Sequence, residues 1–205
     1  MKIDHFNRIR LAAIVLALVA STGARANTTD VMSSALGGAG VYDATTNLTW
    51  LSNANINGLM TWSAANTWAA GLVVDGVSGW SLPTSDTCSG YNCTGSQMGN
   101  LFYNALGGTA GQSITTTHTS NYNLFSNFRS DFYWSGTEYA PNTGYAWDFF
   151  FYDGNQSANG KYSNMYALAV RPGLVAAVPL PAAAWLFGSG LLGLVGVSRR
   201  RLALR

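Results

Sequence analysis

Charge is scarce in this chain, and so is cysteine. Only 10% of its 205 residues are Asp, Glu, Lys or Arg; two are cysteine, two are histidine and five are proline. The basic residues gather at the two ends. Between Asn27 and Val178 only Arg129, Lys161 and Arg171 stand against eight acidic residues, a balance of −5 with His118 neutral, although the whole chain carries +2. With no basic patch to neutralise phosphates, nucleic acid is excluded as the expected partner. With no third cysteine and no histidine near Cys88 or Cys93, a zinc shell has no completing ligands, so no metal site is expected from them. Catalytic chemistry is equally thin. His118 lies in the run Thr115-Thr116-Thr117-His118-Thr119 without a motif, and Ser135 has no nucleophile-elbow context. The expectation is a protein that is not an enzyme and needs no cofactor.

What is present begins with a targeting segment. Lys2, Arg8 and Arg10 form a basic region, Leu11 to Ala20 is an unbroken apolar run, and Ala24-Arg25-Ala26 is a small-x-small cleavage site. Residues 1–26 are therefore read as a signal peptide cut after Ala26, with Ala24 and Ala26 as its recognition residues. Residues 27–40 are small and polar and are expected to form a poorly ordered lead-in. In an oxidising destination the two cysteines have one possible pairing, so a Cys88–Cys93 disulfide is expected, stabilising by about 2 kcal/mol.

The span 41–173 carries the folding signals. Val41 to Leu51 reads as strand, turn and strand about Thr45-Thr46-Asn47. Thr61 can cap a helix reaching about Ala70, with Trp62, Ala65, Ala69 and Leu72 at helical spacing, and Gly71 ending it. Trp62 and Trp68 are expected in the core rather than as ligand platforms. Ser96 can cap a second helix with Leu101, Phe102, Ala105 and Leu106 inward and Gly107 as its stop. From Phe132 to Pro172 three aromatic or β-branched runs, containing Trp134, Trp147, Phe149, Phe151, Leu168 and Val170, predict three adjacent antiparallel strands. Asp153-Gly154-Asn155 supplies a tight turn between runs. The segment from Gly107 to Asn127 is rich in Gly, Thr, Ser and Asn, and within it the run Thr115-Thr116-Thr117-His118-Thr119 is either a strand or a mobile loop. Two helices on a twisted antiparallel sheet make an α+β domain.

An ordered set of segments carries a resemblance. Val41-Tyr42-Asp43, Leu48-Thr49-Trp50-Leu51, Thr61-Trp62-Ser63-Ala64-Ala65, Gly79-Trp80-Ser81-Leu82-Pro83-Thr84, Gln97-Met98-Gly99-Asn100-Leu101, Tyr133-Trp134-Ser135-Gly136-Thr137-Glu138 and Val170-Arg171-Pro172-Gly173 follow one another. Together they resemble a bacterial extracellular domain family related to the Lcl C-terminal domain. The resemblance implies a C-type-lectin-like fold with ligand contacts on loops carried by a rigid sheet. Two positions depart from the pattern, Ser81 for a usual Arg and Gln97 for a usual Glu; if those two pair in relatives, both partners are missing here.

Aromatic faces beside a few carboxylates suit polyols, so Trp134, Glu138, Trp147 and Asp148 are the ligand-binding candidates, with Glu138, Asp148 and Asp153 also possible oxygen ligands for calcium. The competing reading makes these carboxylates solvated strand ends and turns.

The chain closes on Val178-Pro179-Leu180-Pro181, an apolar run within 182–198, and Arg199-Arg200-Arg201 in a short tail, 199–205. This resembles the PEP-CTERM sorting signal read by exosortase systems of Gram-negative bacteria that make exopolysaccharide. Pro179 and Pro181 keep residues 174–181 out of regular structure, the apolar run is predicted to cross the inner membrane as a helix, and the arginines hold its end in the cytoplasm. The resemblance implies an exosortase-type enzyme and the inner membrane as partners, and export to the cell surface or beyond. The leading expectation is a surface or matrix protein binding a ligand such as exopolysaccharide; alternatives are a purely structural biofilm or envelope component, or a calcium-dependent enzyme.

Overall fold

A computed structural model describes residues 32–175. The proposed cleavage site at Ala24 and Ala26, the sorting motif Val178 to Pro181, the apolar run and Arg199 to Arg201 all lie outside the described residues. Among the described residues no helix is long and apolar enough to cross a membrane.

Among the described residues the architecture is α+β, with seven strands in two antiparallel sheets and two short α-helices. Strands β1 (Met32–Ala35), β2 (Gly40–Asp43) and β3 (Leu48–Leu51) form a meander. The β2–β3 turn falls where the sequence places it: Asn47 takes a φ of 54°, and the buried Asp43 carboxylate accepts from the Thr45 N–H at 2.9 Å and the Thr46 hydroxyl at 2.8 Å. Helix α1 spans Trp62–Gly71 and α2 spans Gln97–Asn100, the latter continuing as a π-helical turn over Leu101–Ala105. Ser96 caps α2, its Oγ accepting from the Gly99 N–H at 3.0 Å, whereas Thr61 gives α1 no side-chain cap. Strands β4 (Phe132–Glu138), β5 (Tyr145–Phe150) and β6 (Asn155–Gly160) form the second sheet, and β7 (Val170–Pro172) closes the first by pairing with β3.

Two expectations are corrected and one open alternative is decided. Residues 32–40 are not a loose lead-in. Met32 pairs with Asp43 and Ala35 with Gly40, which makes this segment the outer strand of the first sheet. There are two sheets rather than one, because the third aromatic run splits between them. Tyr166 bonds to Phe132 and Trp134 beside β4, and four residues later Val170 bonds to Ser81 and enters the other sheet. The third strand of the β4–β5 sheet is instead the polar Asn155–Gly160, joined to β5 through a turn in which Gly154 takes a φ of 81°. Finally, Gly107 to Asn127 contains no strand. Buried Ile114 anchors it to the core, and Ser120–Leu124 forms a 3-10 turn.

Strand β4 is buried on both faces, so its alternation sorts side chains between two clusters. Tyr133 enters the main core with Trp50, Phe102, Phe149, Phe151 and Leu168. Trp134 enters the smaller cluster, under Ala65 and Ala69 of α1. Trp62 and Trp68 are half-buried at the margins of these clusters.

Gly99 fixes the approach of α2 to the disulfide segment. A methyl group at this position would lie 1.9 Å from the Cys93 carbonyl oxygen and 2.8 Å from its carbon. Helix propensity alone makes Gly→Ala favourable by about 0.5–1 kcal/mol. Overpacking against backbone reverses the sign, so Gly99→Ala is expected to lose about 3 kcal/mol, read as a lower urea midpoint at unchanged slope. A stabilised variant would show that the contact yields.

Candidate functional site

Strand β4 leaves the core irregularly. Its pairing passes from Trp134 opposite Asp148 to Glu138 opposite Ala146, so β4 advances four residues while β5 retreats two. Such a bulge bends a strand and re-aims its side chains. Here it brings Thr137 and Glu138 against the segment that follows Trp80. The Pro83 carbonyl accepts from the Gly136 N–H at 2.8 Å and from the Ser135 hydroxyl at 3.0 Å. Thr137 Oγ1 accepts from the Ser85 N–H at 2.9 Å.

The facing wall is the loop closed by the Cys88–Cys93 disulfide, whose Cα atoms are 5.5 Å apart. Gln156 of β6, 0% exposed, fastens that loop to the sheet. Its Nε2 donates to Asp86 Oδ1 at 3.0 Å and to the Cys88 carbonyl at 2.6 Å. Its backbone exchanges two 2.8 Å bonds with Gly90, extending the ladder by one residue of the loop. The disulfide therefore braces a wall rather than the centre of the fold.

Between these walls lie two adjoining depressions, of about 330 Å³ and 270 Å³, which share Ser89, Tyr139 and Trp147. Tyr139 meets Trp147 edge to face, with ring centroids 5.1 Å apart. Ser85, Asp86, Thr137 and Glu138 bring hydroxyls and carboxylates to the larger depression, which Ala140 and Pro141 also line. The Ser85 hydroxyl is buried with no hydrogen-bond partner among the described residues, a penalty that any polar group reaching it would relieve.

Of the four side chains expected to contact a ligand, only two reach this cleft. Glu138 lines it, and its carboxylate accepts a hydrogen bond from Lys161 Nζ, which also sits 4.2 Å above the Trp62 ring. Trp147 contributes an edge, being 6% exposed. Trp134 is a correction: it is fully buried and its indole N–H donates to the Met60 carbonyl at 2.9 Å, so it supports the strand and offers no face. Asp148 is the second correction. Its carboxylate is 0% exposed and accepts from the Ser157 hydroxyl and the Asn159 amide, each at 2.8 Å. The sequence reading missed Tyr139, Asp86 and Lys161. Lys161 is the sole lysine between Asn27 and Val178, a signal that was there to be used.

Each carboxylate considered for calcium has a hydrogen-bond partner within the fold. Glu138 is taken by Lys161, Asp148 is turned to donors inside the fold, and Asp153 closes its own turn by accepting from the Asn155 N–H at 2.9 Å. Among the described residues no group of three or more His, Cys, Asp or Glu side chains gathers as a metal site. His118 stacks on Tyr122 with centroids 4.3 Å apart, away from the cleft. Ser81 and Gln97, the two departures noted above, each bond to backbone: Ser81 pairs with Val170, and Gln97 Oε1 accepts from the Thr84 N–H at 2.8 Å.

In a comparison with protein families, the model of the Lcl C-terminal domain matches residues 39–171. The chain belongs to this family. A search of the curated proteins gave no match. The family suggests a secreted or surface-associated protein, which agrees with an intact disulfide.

Asp148 supplies a pH test. Burial pushes its carboxyl above the ordinary aspartate range, and the bonds from Asn159 and Ser157 pull it back in part. A group that binds its proton more tightly when folded contributes stability below its unfolded pKa and loses it as pH rises through the folded value. The unfolding free energy of the wild type minus that of Asp148→Asn is therefore expected to fall as pH is raised from below the ordinary aspartate pKa towards neutrality. Urea titrations across that range measure it; a difference that rises with pH would contradict the assignment.

Proposed function

We propose that this chain is an exported, non-enzymatic surface or matrix protein whose Lcl domain, of the C-type-lectin-like class, binds polysaccharide in the cleft beside Tyr139 and Trp147. The observation that carries the reading is the cleft's composition. Its lining combines the aromatic residues Tyr139 and Trp147 and Pro141 with the polar Ser85, Thr137, Asp86 and Glu138. Sugars match both, having C–H faces for the rings and hydroxyls for the polar groups. Non-enzymatic binding is the reading because both carboxylates that line the cleft are engaged, Glu138 by Lys161 and Asp86 Oδ1 by Gln156 Nε2 and the Cys88 N–H, while Asp148 is enclosed.

Delivery is the second half of the proposal. The signal sequence ending at Ala26 exports the chain through the inner membrane of a Gram-negative bacterium. The Val178-Pro179-Leu180-Pro181 motif, apolar run and Arg199-Arg200-Arg201 tail hold it there until an exosortase-type enzyme processes it for the cell surface or beyond. What supports this is the order of motif, apolar run and basic tail in the sequence.

Each half has a test. Calorimetry of the full chain against exopolysaccharide from its own host is expected to show saturable binding, weakened about tenfold by Tyr139→Ala, or about 1.4 kcal/mol. Unchanged affinity in that variant would remove the cleft from the account, and no binding at all would favour a structural envelope component. For sorting, mass spectrometry of the extracellular protein is expected to find a C-terminus near Pro181. An extracellular form that retains Arg199 to Arg201 would sink that half alone.

A further inference from the structure

The far end of strand β5 carries a second surface of different chemistry. Phe132 and Phe150, directly paired across β4 and β5, stack face to face with centroids 4.0 Å apart and ring planes within 9°. Tyr152 continues the row, stacked on Phe150 at 5.5 Å. Tyr152 is 57% exposed, yet its ring is backed by two others, so it is a stiff platform rather than a free side chain.

Beside it runs a groove of about 620 Å³, lined with Tyr152 by Gln112, Ser113, Thr115, Thr116 and Ser130. That volume lies within the usual range of ligand sites. The groove is built rather than incidental. The Gly111 N–H donates to the Asp153 carbonyl at 2.8 Å and the Ile114 N–H to the Phe151 carbonyl at 3.1 Å, pinning the threonine-rich segment to the end of the hairpin. Ser113 organises the segment, its Oγ lying 2.5 Å from Ser130 Oγ and 2.8 Å from Thr115 Oγ1. Its carbonyl accepts from the Thr116 hydroxyl at 2.8 Å.

No lining residue carries a charge at neutral pH. The nearest carboxylates in sequence are occupied: Asp153 accepts from Tyr91 OH at 3.2 Å and from the Asn155 N–H, and Asp131 accepts from the Phe132 N–H at 2.7 Å. A rigid ring beside hydroxyls and a primary amide, without charge, matches a neutral sugar chain. The lining offers an anionic glycan no cation, exposed Arg129 next to Ser130 not being part of it, and the domain's acidic residues outnumber its basic ones.

We infer that the Tyr152 groove is a second glycan site, selective for neutral chains and independent of the cleft at Tyr139. The two sites share no lining residue and lie toward opposite ends of β5: Tyr145 and Trp147 belong to the first, and Tyr152 follows Phe150 at the other end. One domain therefore engages two segments of polysaccharide and can bridge them.

The test isolates the groove by disabling the other cleft. Full-length Tyr139→Ala is titrated with cellohexaose, maltohexaose and hexagalacturonate. At least one neutral hexasaccharide is expected to bind saturably, and tenfold or more tighter than the anionic one. Adding Tyr152→Ala is expected to weaken it at least tenfold, while Tyr152→Phe, which keeps the ring, stays within about threefold of the parent. Gln112→Ala, at an exposed position, is expected to weaken binding severalfold. Melting temperatures of the Tyr152 and Gln112 variants should match the parent, which separates lost binding from lost fold. The inference is overturned if neither neutral hexasaccharide binds the Tyr139→Ala chain, if Tyr152→Ala leaves affinity unchanged, or if the anionic chain binds as well. Loss of all binding on Tyr139→Ala alone would assign the activity to the first cleft and overturn this site while leaving the first intact.

Discussion

The segment from Met165 to Val170 holds this domain together, because it is hydrogen-bonded to everything around it. Met165 exchanges backbone bonds with Met60, Tyr166 with Phe132 and Trp134, Ala169 with Leu51, and Val170 with Ser81. Its side chains at Ala167, Leu168, Ala169 and Val170 are buried, split between the two apolar clusters. A run of six residues thus joins both sheets and the Trp80 to Pro83 segment. Where these backbone groups are buried, leaving them unpaired would cost more than each bond contributes. The two sheets need no direct pairing with each other as a result.

That arrangement leaves the β4–β5–β6 hairpins free to carry chemistry at their ends. Their middle is locked by Tyr133, Phe149 and Phe151 on one side and by Trp134 and Ala146 beneath α1 on the other. Toward one end the β4 bulge and the Gln156 brace set the walls of the Tyr139 cleft; toward the other, the Phe132–Phe150–Tyr152 stack sets the groove. The interior of the sheet is rigid so that its ends can be open.

The sequence was most legible where local chemistry and burial agreed. The Thr45–Asn47 turn, the Ser96 cap and the Gly154 turn each need only nearby residues, and each stands where those residues place it. The disulfide had one possible pairing. The polar strand β6 was hidden because Asn-Gln-Ser-Ala-Asn-Gly has neither alternation of apolar residues nor β-branching. It is a strand through six-residue pairing with β5, a tertiary effect that propensity cannot register. Strand β1 was missed for the same reason. At the site, Trp134 and Asp148 were taken for surface groups because residue type was read without facing. Once the register is known, both sit on the face that the protein covers. Asp148 is tolerated there because Ser157 and Asn159, on the unforeseen neighbouring strand, satisfy it.

The central claim is that rigid aromatic side chains at the ends of a locked sheet hold sugars. A crystal structure of the protein grown with a neutral oligosaccharide tests it most directly. The account predicts a pyranose ring packed against Tyr139 or Tyr152, with its hydroxyls bonded to the polar residues lining the same depression. Sugar density elsewhere on the surface, or both tyrosines bare at saturating ligand, would contradict it.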